Sequence, residues 1–114
     1  MNPQGIMDQI KINRIALTKG NDELRTLGVK KTNAEREYKI ALRKELLKLR
    51  LEKYPIAIIQ DLAKGEEKIS FLRLERDLAE NAYTVCQEGL RNIRLEQEIL
   101  RSLLAWQRVE FGNS

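Results

Sequence analysis

The chain has 114 residues, of which 42 % are hydrophobic and 33 % charged, and its formal net charge at pH 7 is +4. Its 6 glycines and 2 prolines are too few for a β-sandwich or barrel, and its apolar content is too high for a disordered tail. Histidine is absent and Cys86 is the single cysteine, so one chain cannot build a disulfide, a Cys/His zinc site or a Ser-His-Asp triad. We therefore expect an all-α protein that is not an enzyme and uses neither a cofactor nor a metal.

The first predicted element is a long helix over about residues 6–52. Apolar residues recur there at steps of three and four from Ile6 to Leu49, which is typical of an amphipathic helix. Two glycines interrupt the pattern: Gly20, and Gly28 ahead of a Thr-x-x-Glu capping-box pattern at residues 32–35. Each glycine costs only ~1 kcal/mol in a helix interior, and the stripe keeps its phase through both. The spacing favours one continuous helix, and a break near residue 20 is the alternative.

The second predicted element is a short helix over about residues 55–63, where the chain turns around. Pro55 disfavours helical geometry at Tyr54 but suits the first turn of a new helix. Gly65 is well placed to end it.

The third predicted element is a second long helix over about residues 66–110. Glu66 and Glu67 put negative charge in its first turn, where the helix dipole favours it, and residues 112–114 (Gly-Asn-Ser) are expected to end it. Its apolar stripe begins at Phe71, and a second stripe lies beside the first. The apolar face is therefore wider than the seam of a simple two-stranded coil.

These elements predict a single domain over residues 1–114, an antiparallel hairpin of two long helices with a short helix at its tip. A hairpin buries only one stripe of each helix, so the second stripe is expected to be covered by another copy, giving a homodimer with a bundle of helices. The residues expected to make this self-association are Leu78, Val85, Ile99, Leu103 and Trp106.

The tip carries a dense apolar cluster where the chain merely needs to turn. One interpretation is a hydrophobic plug that closes the hairpin, and the other is a docking surface for a partner protein. The residues expected to bind the partner are Tyr54, Ile56, Ile58 and Ile59, with Arg50 and Lys53 at the rim.

Positive charge is concentrated in the first half of the chain. Residues 1–53 carry 13 Lys and Arg against 7 Asp and Glu, a balance of +6, whereas residues 54–114 carry 8 against 10, a balance of −2. A basic helix flank could contact the phosphates of a nucleic acid, although no known nucleic-acid-binding motif is present and a solvated face is the alternative. The candidate contact residues are Arg36, Lys39, Arg43, Lys44 and Arg50.

Hydropathy along the chain bears on its location. No apolar run approaches the ~18 residues that a membrane-spanning helix needs. The segment Met1-Asn2-Pro3-Gln4-Gly5 lacks the cationic start and apolar stretch of a secretion signal. We expect a cytoplasmic protein with no membrane partner.

Five parts of the sequence carry a resemblance: residues 34–45, Tyr54-Pro55, residues 61–65, residues 72–80, and Tyr83. They resemble a group of small, all-helical, largely uncharacterised proteins of bacteriophages and prophages in Gram-positive (Firmicutes) hosts. The likeness covers about residues 32–105 and consists of packing and turn patterns. It implies no catalytic activity. It implies a small phage protein that binds host or phage proteins in the cytoplasm of the host bacterium.

Three functions are compatible with these observations. The first is a non-enzymatic phage accessory protein that binds, and so inhibits or modulates, a host defence or replication protein. The second is a nucleic-acid-binding accessory protein of phage replication or recombination that uses the basic flank. The third is a structural coiled-coil scaffold. The expected partners are accordingly a second copy of the chain, an unidentified host or phage protein, and nucleic acid in the second case.

Overall fold

The structure, a computed structural model, describes the backbone of residues 2–112 and the side chains of residues 2–110. It contains three helices: α1 (Pro3–Leu51), α2 (Ile56–Gly65) and α3 (Glu67–Gly112). No strand is present in the described part of the chain. The all-α prediction, with two long helices packed together and a short one between them, is confirmed. None of the helices within residues 2–112 combines the length and the apolarity needed to cross a membrane.

Helix α1 begins three residues earlier than predicted because Asn2 caps it. The Asn2 side-chain Oδ1 accepts a hydrogen bond from the Gly5 backbone N–H at 2.6 Å. Pro3 then occupies the first helical position, where its missing N–H is not needed.

Helix α1 is continuous through Gly20 and Gly28, so the alternative of a break near residue 20 is wrong. The Thr32 hydroxyl does not cap a new helix; it donates to the Gly28 carbonyl one turn earlier, at 2.9 Å. A Cβ on Gly20 would collide with the Leu90 side chain. The absence of a side chain at Gly20 therefore allows close packing of α1 on α3 at this level.

The end of α1 has the hydrogen bonds of a Schellman motif. The Lys53 N–H donates to the Arg50 carbonyl at 3.0 Å, and the Tyr54 N–H donates to the Leu49 carbonyl at 3.2 Å. Lys53 has φ 65°, in the left-handed region where this motif usually places glycine. Pro55 follows, and α2 starts at Ile56.

Helix α2 runs two residues further than predicted, because Gly65 is still helical and the chain leaves the helix at Glu66, with φ −64° and ψ 137°. The Glu66 carboxylate then accepts a hydrogen bond from the Ile69 N–H at 3.0 Å and caps the start of α3. Helix α3 is helical through Gly112, beyond the predicted end at 110. Asn113 and Ser114, also expected to end it, lie outside the described residues.

The chain divides into two compact units. The terminal unit comprises Met1–Arg25 and Thr84–Ser114, and the tip unit comprises Thr26–Tyr83. In each unit a segment of α1 packs antiparallel to a segment of α3. The expectation of a single domain remains a prediction.

Candidate interaction surfaces

The core of the tip unit is built by the end of α1 and one face of α2. Leu49, Ile59 and Ala63 are buried there, and Leu42 and Leu46 pack against them. Ile59 is only 5 % exposed, so its prediction as a partner-binding residue is wrong. It lies on the α2 face that Leu49 covers, four residues before Ala63, and it holds α2 against α1.

The other predicted tip residues are exposed. Tyr54 and Ile58 are 44 % and 43 % exposed, Ile56 is 78 % exposed, and Arg50 and Lys53 face solvent. Two exposed leucines that the sequence did not single out belong to the same region: Leu51 at the end of α1 and Leu62, which lies four residues after Ile58 on α2. We call the tip surface the set Leu51, Tyr54, Ile56, Ile58 and Leu62.

Four of the five predicted nucleic-acid contacts line a groove of about 690 Å³ on α1, within the tip unit. They are Arg36, Lys39, Arg43 and Lys44. Ile40 and Leu47, which are 41 % and 58 % exposed, also line this groove. Arg50 is exposed but does not line it. The basic flank is therefore interrupted by an apolar strip.

One cation of this flank already has a partner. The Lys39 ammonium lies 3.0 Å from the Glu35 carboxylate, and the side chains are 70 % and 46 % exposed, respectively. The hydrogen bond from Lys39, with its positive charge, lowers the pKa of Glu35 below the usual value. Lys39 is thus less available to a phosphate than Arg36 or Arg43.

The five residues predicted to self-associate are all exposed on α3. Leu78, in the tip unit, is 55 % exposed, and Val85, in the terminal unit, is 59 % exposed. Ile99, Leu103 and Trp106 line a groove of about 530 Å³ in the terminal unit. These positions suit a docking role, and self-association through them remains a prediction.

The seam of the tip unit combines aromatic rings with cations. The Arg76 guanidinium lies 4.4 Å from the ring centre of buried Tyr38, and the Lys31 ammonium lies 4.8 Å from that of Tyr83. Arg76 also forms an ion pair with Asp77 at 2.9 Å, and the hydrogen bond in this pair raises the pKa of Arg76. These contacts align α1 with α3 in this unit.

The seam of the terminal unit contains two buried amides that the sequence reasoning missed. Asn13 and Gln97 are 5 % and 4 % exposed. Gln9 donates to the Asn13 side-chain oxygen at 2.9 Å, and Gln97 donates to the Ile10 carbonyl at 3.1 Å. The Asn13 Nδ2 and the Gln97 Oε1 have no protein partner. Spacing could have revealed Asn13, which lies seven residues after Ile6 on the inner stripe.

Cys86 is half-buried in the terminal unit, with its Sγ 3.7 Å from the Gly20 carbonyl oxygen. No group of three or more His, Cys, Asp or Glu side chains in the described part of the chain is arranged to hold a metal ion.

Comparison of the chain with protein-family models, with curated proteins and with solved structures finds no match in any of the three.

Proposed function

We propose that the protein binds another protein through the tip surface and that it catalyses no reaction. The observation that carries this proposal is the exposure of Leu51 and Ile56, which at 75 % and 78 % are the most exposed large hydrophobic side chains among the described residues. Burying one such side chain in a partner gains about 1.5–3 kcal/mol. Exposed apolar clusters with polar rims are typical of protein-binding sites.

The chemistry of the tip defines the chemistry of its partner. Lys48, Arg50 and Lys53, which are close to Leu51 and Tyr54 in the sequence, are exposed. A complementary partner is an apolar groove with an acidic rim, because opposite charges across an interface select the correct partner and speed association.

The backbone of Lys53 gives independent support. A non-glycine residue in the left-handed region costs about 1–2 kcal/mol, and this position of the helix end usually holds glycine. Strained residues are frequent at functional sites. A lysine at a position where glycine is usual suits a role for its ammonium group in binding.

The resemblance to phage proteins suggests where the partner is found. It would be a host or phage protein in the cytoplasm of a Gram-positive bacterium, and a host defence or replication protein is the first class to examine. Binding to such a protein would inhibit or modulate it.

Nucleic-acid binding is the second candidate, and one observation favours it. Arg36, Arg43 and Arg50 are exposed at seven-residue intervals along α1. The apolar strip of Ile40 and Leu47 beside them argues against a groove that tracks phosphates, because such a groove gains nothing from burying aliphatic carbon. A passive coiled-coil scaffold is the third candidate, and it gives the tip no role.

The proposal is tested by affinity capture from a lysate of such a host. Three baits are compared: the natural chain, the double variant Leu51→Ser/Ile56→Ser, and the control Ile15→Ser, whose target side chain is 58 % exposed on α1 in the terminal unit. We expect a protein that the natural chain and the control recover equally and that the double variant recovers at least about tenfold less. Equal recovery by all three baits contradicts the proposal.

A Lys53→Gly variant separates binding from stability. Glycine relieves the strain at Lys53, so the free energy of unfolding should rise by about 1 kcal/mol. Capture of the same protein should fall, because the ammonium group is lost. A more stable variant with unchanged capture would remove Lys53 from the site.

Gel-shift titrations distinguish the second candidate. Duplex DNA and single-stranded RNA are titrated at salt concentrations from about 50 to 200 mM. Binding that weakens steeply with salt and is lost in Arg36→Gln/Arg43→Gln would favour a nucleic-acid partner over a protein.

A further inference from the structure

Helix α1 has an exposed groove on the side that faces away from α3. The groove of about 690 Å³ is lined by residues of α1 alone, from Thr32 to Leu47, and we call it the α1 groove. Tyr38 is buried and lies against Arg76 of α3. Ile40, two residues later, lies about 200° further round the helix. The α1 groove is therefore on the opposite side of α1, where α3 leaves it open.

Cations predominate in the lining of the α1 groove. Arg36, Lys39, Arg43 and Lys44 line it, and Glu35 is the single carboxylate among the described residues that do so. Four positive charges and one negative charge leave an excess of three. Glu35 is already paired with Lys39. The α1 groove thus offers the charges of Arg36, Arg43 and Lys44 to an anionic partner.

Two aliphatic side chains, Ile40 and Leu47, lie among these cations. They are seven residues, or about two helical turns, apart. Arg43 comes three residues after Ile40, and Lys44 comes three residues before Leu47. Because steps of three and of four residues lead to opposite sides of such a row, Arg43 and Lys44 flank the two aliphatic side chains on either side. The α1 groove therefore combines an apolar strip with a cation on each side.

The α1 groove is long and open. A second hollow, of about 340 Å³, shares Lys44 and Leu47 with it and continues it to Leu51. The remaining residues that line this hollow have opposite charges, Lys48 and Glu52. The two hollows together follow residues 32–52 of α1, or about 30 Å at 1.5 Å per residue. An occupant that makes use of this length is itself an extended rod, such as a helix of about 20 residues.

We propose that the α1 groove binds an acidic amphipathic helix of a partner protein. Apolar side chains of that helix, spaced by three, four or seven residues, pack on Ile40 and Leu47. Its carboxylates lie on both sides of these apolar side chains and pair with Arg43 and Lys44. Arg36, one turn before Ile40, pairs with a further carboxylate. The charge of the groove thus selects an acidic helix over a neutral or basic one.

A helix fits the α1 groove better than a nucleic acid or a membrane surface does. The phosphates and sugars that a nucleic acid presents to a basic flank gain nothing from Ile40 and Leu47. A helix that lies on a membrane buries a broad apolar face in the lipid. Ile40, Leu47 and Leu51 instead occupy only about 40° of the circumference of α1. A strip of this width accommodates one row of side chains from a single helix.

Two synthetic peptides test the charge preference. The first is a stapled helical peptide of about 20 residues, with leucine at the first and fourth positions of each heptad and glutamate on both sides of them. The second has glutamine in place of every glutamate. By fluorescence anisotropy at about 50 mM salt, the glutamate peptide should bind at least about tenfold more tightly. Raising the salt to about 500 mM should remove most of this difference, because salt screens exposed charges.

An apolar double variant tests the location of the peptide. Ile40→Ser/Leu47→Ser should raise the dissociation constant of the glutamate peptide by about tenfold or more. The control is Ile12→Ser/Ile15→Ser, whose target side chains are each 58 % exposed on α1 in the terminal unit. It should change the constant by less than about twofold. All four positions are on the surface, so circular dichroism should show the helix content of the natural chain in both variants.

A charge double variant tests the two flanking cations. Arg43→Gln/Lys44→Gln should weaken the glutamate peptide by about tenfold and leave the glutamine peptide unchanged. Lys11→Gln/Arg14→Gln removes the same charge from exposed positions of α1 in the terminal unit and is the control. It should leave both dissociation constants unchanged. Leu51 and Ile56 stay natural in every variant, so these results are independent of the tip surface.

Four results would overturn the proposal. The first is no binding of the glutamate peptide at concentrations up to about 1 mM. The second is equal affinity for the two peptides, and the third is an equal loss of affinity in a groove variant and its control. The fourth is the absence of peptide binding together with binding of a DNA duplex of about 20 base pairs, or of phosphatidylglycerol vesicles, that Arg43→Gln/Lys44→Gln abolishes. That result would assign the α1 groove to a nucleic acid or to a membrane.

Discussion

The terminal unit and the tip unit use the same helices and the same seven-residue spacing but fill their seams differently. The terminal unit places two buried amides, Asn13 and Gln97, and the close contact of Gly20 in its seam. The tip unit places the ring of Tyr38 beneath Arg76 and closes with an aliphatic core around Ile59. Buried amides add little net stability but restrict which residues can face each other, whereas buried aliphatic side chains add stability directly. We infer that the seam of the terminal unit favours the correct alignment of its helices over stability. The seam of the tip unit favours stability over alignment.

The largest expected effect is at the aliphatic core of the tip unit. Ile59→Ala removes a buried side chain and should lower the free energy of unfolding by about 2–4 kcal/mol in urea denaturation. Ile56→Ala, on the same helix but 78 % exposed, is the control and should change it by less than about 0.5 kcal/mol. Equal effects of the two variants would show that Ile59 is not a core residue.

The next largest change in the free energy of unfolding is expected at the two buried amides of the terminal unit, and it should have the opposite sign. Asn13→Leu/Gln97→Leu removes two buried polar atoms that lack a protein partner, so the free energy of unfolding should rise by about 1–3 kcal/mol. Thermal and urea denaturation measure this change. Asn33→Leu, at an exposed position of α1, controls for added hydrophobicity. A double variant that is less stable than the natural chain would mean that these amides contribute to stability as well as to alignment.

The smallest changes in stability are expected at two glycines, one from each unit. A Cβ at Gly28 would make an ordinary contact of 3.4 Å with the Tyr83 ring, so Gly28→Ala should stabilise the helix by up to about 1 kcal/mol. A Cβ at Gly20 would collide with Leu90, which is only 3 % exposed and has little room to move. Gly20→Ala should therefore lower the melting temperature while Gly28→Ala raises it. A rise in both would show that the terminal seam is not closely packed at this level.

Helix periodicity made the positions of the three helices predictable. The predicted ranges 6–52, 55–63 and 66–110 compare with 3–51, 56–65 and 67–112 in the structure. The boundary that differed most, at the start of α1, depends on a cap by Asn2 and on Pro3. That signal is present in the sequence but lies before the first residue of the apolar stripe.

The tip shows where sequence reasoning reached its limit. Ile56, Ile58 and Ile59 are equivalent in hydrophobicity, and a helix of ten residues is too short for periodicity to show which of them is buried. In the structure Ile59 is the buried one, because it contacts the core around Leu49. The cations of α1 were found from their spacing, whereas the exposed apolar strip of Ile40 and Leu47 among them was apparent only in the structure.

The order of residues by itself determined that this protein is built from long amphipathic helices, because the period of the apolar residues and the scarcity of glycine and proline leave no other regular structure. Only the tertiary structure decided which apolar residues remain exposed. A helix has more hydrophobic positions here than one neighbour can cover, and the choice among them depends on contacts between residues far apart in the chain, such as that of Gly20 with Leu90.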